Sequence, residues 1–171
     1  MISRALFVTS KALLVVASLL AFALCFVVVA DVVGRGVFNT PVRGTPEMVS
    51  SSIVVICYLQ AAYAILSGGM LEVDVITANL SPPVRAVMSV FSCLLGVLLF
   101  GVIGWGSLDG FLHAFTSGEY EGEGALHVPV WPVRLAVLVG SVLAALSYVL
   151  LAARQVAAAR QGRAVATGAT H

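Results

Sequence analysis

The chain has 171 residues, 60% of them hydrophobic and 10% charged, with a mean hydropathy of +1.07. A soluble domain carries about 25% charged residues, so this chain lacks the polar surface to cover a globule in water. Its net charge of +1 comes without a basic patch, which excludes a nucleic-acid binder. The apolar residues fall in long blocks, the mark of a membrane protein.

The first block follows a short mixed segment, residues 1–11, with Arg4 and Lys11. A signal peptide also has a basic start and an apolar middle. Here the apolar run from Ala12 to Ala30 is about as long as a bilayer span needs and passes the small-residue site at Ala21 to Ala23. It is therefore read as a retained first span over residues 12–36. Asp31 and Arg35, spaced i,i+4, can pair along one face at its end.

Asn39, Pro41 and Gly44 then make a turn. Thr45-Pro46-Glu47 has the pattern of a helix start, with Thr45 as cap, Pro46 as first helical residue and Glu47 at the positive end of the dipole. The second span is expected over residues 48–67. Ser50, Ser51, Ser52 and Gln60 give it a polar face suited to a helix neighbour. Gly68-Gly69 ends it, and Glu72 and Asp74 follow in an acidic turn. Ser81-Pro82-Pro83 opens a third span, residues 84–105, with Arg85 placed to snorkel. Gly96, Gly101, Gly104 and Gly106 are read as its close-packing face.

Ser107 to Val128 is read as the longest polar connection. It carries Asp109, His113, Glu119, Glu121, Glu123 and His127. Glutamates at alternate positions separated by Tyr and Gly make no helical metal face, so a solvated loop is preferred to a metal site. The fourth span is expected over residues 131–153. Trp105, Tyr120 and Trp131 are candidate interfacial anchors. The membrane domain thus covers residues 12–155, and a flexible tail is expected over residues 156–171.

The fold class expected is an all-α integral membrane protein of four transmembrane helices. Four spans put both termini on one side. Arg4, Lys11, Arg85, Arg154, Arg160 and Arg163 fall on that side, against Arg35, Arg43 and Arg134 on the other. The positive-inside rule then makes both termini cytoplasmic. The first and third connections face outward, and Glu72 and Asp74 face the cytoplasm.

No reactive set converges, so no catalytic, cofactor or metal role is assigned. Cys25, Cys57 and Cys93 sit inside apolar blocks, as small buried hydrophobes do. The middles of the spans are uncharged, which speaks against an ion pathway through this chain alone. Arg35 and Glu47 have two readings. One is an ion pair that ties the first hairpin together, with Asp31 as second partner. The other is an outward docking surface formed by Arg35, Arg43 and Glu47.

Arg35-x-x-Phe38-Asn39-x-Pro41, Glu47 opening the second span, Gly68-Gly69, Val73-Asp74, Ser81-Pro82-Pro83 and Pro129-x-Trp131 with Gly140 stand in one order over four spans. In this the chain resembles the small four-helix membrane subunit of tripartite ATP-independent periplasmic (TRAP) transporters. The likeness runs from about Ala12 to Ala153. Two positions depart from the family pattern: Gly44-Thr45-Pro46 replaces a frequent Trp before the glutamate, and Met70 a frequent His before the acidic turn. The resemblance implies a multi-pass subunit of the bacterial inner membrane in a sodium-driven importer of organic acids. Its partners would be a large polytopic transport subunit and a periplasmic substrate-binding protein, with sodium bound by the large subunit. The alternatives are a self-sufficient small four-helix exporter, which needs a carboxylate inside the membrane and has only Asp31, or a membrane assembly factor or enzyme.

Overall fold

The computed structural model describes residues 2–40, 44–68, 82–121 and 128–160. Four helices account for nearly all of them: α1 (Ile2–Phe38), α2 (Thr45–Leu66), α3 (Pro82–Ser117) and α4 (Trp131–Arg160). Each is long and apolar enough to cross a bilayer. In hydrocarbon no water can satisfy the backbone, so a helix, which bonds its own N–H and C=O groups, is the form these blocks must take. A two-residue antiparallel pairing joins β1 (Tyr120–Glu121) to β2 (Val128–Pro129) in the α3–α4 connection, with Tyr120 opposite Pro129.

The helices form an open layer in the order α1, α2, α4, α3. α4 is the central element: 28% of its most apolar window is buried inside the protein, against 6% for α1 and 11% for α2 and α3. What lies between the helices is small. Ala17, Ala62, Ala114, Ala144, Ser10, Ser141 and Ser147 are each buried, while the large apolar side chains of α1 and α3 point outward. Lipid offers no hydrophobic drive for helices to associate, so close backbone approach and van der Waals contact must supply it.

Two glycines show how close the approach is. A Cβ on Gly140 of α4 would sit 2.5 Å from the carbonyl oxygen of Tyr58 on α2. A Cβ on Gly96 of α3 would sit 2.7 Å from the ring of Tyr148 on α4. Gly104 also faces α4, with Ser141 opposite it, whereas Gly101 and Gly106 meet open space. The expected four-glycine face is thus corrected to Gly96 and Gly104. At 3.6 residues per turn, residues eight apart share a face and residues five apart do not.

Helix boundaries differ from the sequence-based expectation: α1 already begins at Ile2, before the expected residue 12, and α4 continues to Arg160, past the expected residue 153 and into the tail expected to be flexible. α2 begins one residue early, with Gly44 in the left-handed region (φ 80°) before the helix and Thr45 as its first residue. Met48 donates to the Gly44 carbonyl at 3.0 Å. The largest difference is in α3. Residues 107–117, expected in a polar connection, continue the helix to Ser117. Leu108, Leu112 and Phe115 continue an outward apolar stripe at i, i+4, i+7 while Ala114 is buried on another face, so the two-faced helical pattern persists through that stretch. Gly118, at φ 63°, ends it.

At 1.5 Å per residue, the 36 residues of α3 reach about 54 Å, well over the roughly 30 Å hydrocarbon core. The polar residues of α3 gather in its last turns, so the excess projects where α3 turns into α4. The α1–α2 turn lies at the same end of the layer.

The tight α2–α4 crossing gives a first prediction. Gly140→Ala must push α2 away from α4 and should cost about 1–3 kcal/mol, as overpacking does. Gly101→Ala, in open space, should be neutral or slightly stabilising, since alanine is the better helix former. Thermal unfolding in a mild detergent reads both; equal effects would refute the close crossing.

Candidate functional site

Among the described residues the ion pairs lie at the end of the layer that holds both turns, in two groups. The first belongs to the α1–α2 turn. Arg35 Nε lies 2.8 Å from Asp31 Oδ2, one helical turn back. The side chain of Asp31 is 9% exposed and that of Arg35 56%, so the acid is held inside and the guanidinium reaches out. Burial of a carboxylate is tolerable only with such a partner. The end of α1 is closed by the backbone. Asn39 adopts φ 51°, a left-handed conformation that Asn accepts more readily than most residues. The Thr40 N–H then donates to the Gly34 carbonyl at 3.0 Å. A Cβ on Gly34 would stand 2.8 Å from the Thr40 oxygen, so a glycine is required there.

Glu47 stands in the first turn of α2, where the helix dipole favours an acid. Its Oε2 is shut off from solvent without a hydrogen-bond partner among the described residues. Of the partners that the ion-pair reading offered Arg35, the structure brings it to Asp31 within its own helix. The i,i+4 geometry brings Asp31 to Arg35 with no loop to order, whereas a bond to Glu47 must cross the turn. Arg43, Glu72 and Asp74, together with Glu123 and His127, lie outside the described residues.

The second group joins α3 to α4, and Arg134 is its centre. One guanidinium nitrogen, Nη1, donates to the Gly110 carbonyl at 2.8 Å. The other, Nη2, lies 3.1 Å from Glu119 Oε2, an ion pair without the alignment of a hydrogen bond. Glu119 Oε1 in turn lies 3.7 Å from His113 Nδ1. The Val130 N–H donates to the Glu119 carbonyl at 3.1 Å, so the backbone holds the same turn. Phe115 and Trp131 cross edge to face with ring centres 6.3 Å apart.

In the sequence Arg134 reads only as a topological charge, and Glu119 and His113 fall in an expected solvated loop. The signal that finds them is the period of residues 108–115, which extends α3 and brings Gly110 and His113 alongside the start of α4. Trp131 sits level with Phe115 at the rim. Trp105, 80% exposed, lies ten residues earlier on α3, about 15 Å further along the axis, so the two tryptophans stand at different depths.

Between these groups lies an open groove of about 410 Å³, walled by α1, α2 and the start of α4. Leu24 and Val27, Ser52 and Val55, and Pro132 and Val133 are among its lining. Among the described residues no three His, Cys, Asp or Glu side chains gather as a metal site would need.

A layer of four membrane helices with its charges at the ends and none converging for chemistry has the form of a subunit built to pack. The family described as tripartite ATP-independent periplasmic transporters, DctQ component, matches residues 24–158. The chain belongs to this family. It is a small permease subunit of a TRAP transporter, a multi-pass protein of the inner membrane and not an enzyme. No curated protein and no solved structure matches it. Within this DctQ chain the match begins inside α1 and runs through most of α4, so it covers both charged groups.

The Arg134 clasp carries the second prediction. Glu119→Gln removes a half-exposed ion pair and should cost under about 1 kcal/mol. Arg134→Met also removes the bond to the Gly110 carbonyl and should cost more, by about 1 kcal/mol. Thermal unfolding of the two single variants and the double variant checks this. Strict additivity would show that Arg134 and Glu119 do not act on each other.

Proposed function

We propose that this subunit braces the large transport subunit of a sodium-driven importer of organic acids and helps receive the periplasmic substrate-binding protein. In this reading both termini are cytoplasmic and both turns face the periplasm. The distribution of Lys and Arg supports that orientation, with six on the terminal side and three on the side of the turns. Substrate and sodium are handled by the large subunit, since the span middles of this chain carry no ionisable pathway.

The observation that carries the bracing role is the open layer. Phe22, Phe26, Phe91, Leu98 and Val102 are all more than half exposed on α1 and α3. A single layer of helices presents two broad apolar faces to lipid or to another membrane protein, and helix packing in lipid proceeds by such contact. The docking role falls to the outer turn. Arg35, anchored by Asp31, presents a guanidinium at the surface, and Arg43 and Glu47 belong to the same turn and helix start. The acidic turn with Glu72 and Asp74 is assigned to the cytoplasmic side, beside the large subunit. Trp105 and Trp131 serve as aromatic contacts with the bilayer.

The exporter alternative relies on a carboxylate that changes protonation inside the membrane. Asp31 is its candidate, and the charged bond to Arg35 near the end of α1 disfavours that role.

Arg35→Ala and Glu47→Gln should each lower sodium-driven uptake by the assembled transporter several-fold, with the protein still inserted and still co-purifying with its large subunit. Uptake at the parental rate in both variants would refute the docking role. A reporter fused after His171 should be active only in a form that works in the cytoplasm; the opposite result would invert the orientation.

A further inference from the structure

We draw no further inference here: the strongest candidate, the outward face of α3 where Leu98, Gly101, Trp105, Asp109 and Leu112 lie exposed, is an unpartnered helix face, and nothing in the structure shows what covers it.

Discussion

The crossing of α2 and α4 at Gly140 sets the terms for the rest of the molecule. Tyr58 lies against that glycine so closely that one added carbon would collide with its carbonyl. In water such closeness would be one contribution among many, beside burial of apolar surface. In a bilayer it is the main source of attraction, because lipid tails serve a leucine as well as another leucine does. This explains why the interior is built from Ala, Ser and Gly and why the bulky residues face outward. It also explains why α4 is central. It carries Gly140, Ser141, Ala144 and Ser147 on faces that meet α2 and α3, so both neighbours can approach its backbone.

The ion pairs of the described residues lie toward the helix ends, and two of them act in the local structure. Asp31 is secured by Arg35 within α1. Arg134 links the last turns of α3 to the first turn of α4 through the Gly110 carbonyl and Glu119. The two devices differ in what they constrain. The α1 pair orders one helix and leaves its guanidinium at the surface. The Arg134 clasp bridges two helices, and together with the β1–β2 pairing it ties the α3–α4 connection to the layer. Glu47 does neither, since no described residue answers its secluded oxygen.

The four spans were legible because apolar block length is a direct readout of bilayer thickness. The Asp31–Arg35 contact was legible because i,i+4 spacing is local. Whether Arg35 reaches Glu47 depends on the geometry of a turn that spacing does not encode, whereas its partner Asp31 is local. Residues 107–117 were misassigned because Asp109, Gly110 and His113 outweighed, on composition, the period of Leu108, Phe111, Leu112 and Phe115. Composition marks polar residues, but the helix continues as long as its apolar period does. The clasp followed from that error, since Arg134 finds Gly110 only if α3 is still helical there. Likewise Gly101 and Gly106 differ from Gly96 and Gly104 only in angular position, which a list of glycines conceals and a helical count reveals.

An open layer is an unusual end point for four apolar helices, which can as readily close into a bundle that hides its small residues on all sides. Here α1 meets α2 along its length but hardly meets α3 or the body of α4. A closed bundle would bury more small-residue contact, yet it would leave a partner only a convex surface. The layer keeps apolar side chains exposed on α1 and α3, and lipid offers them no hydrophobic preference over another apolar surface. What decides occupancy of such a face is therefore fit and the few polar groups at its rim. In this DctQ chain those groups are Arg35 and Glu47 beside one turn and Arg134 with Glu119 beside the other. The second set is bridged by an ion pair within the chain, whereas no described residue answers the secluded oxygen of Glu47, so an external partner at either rim meets a different electrostatic surface.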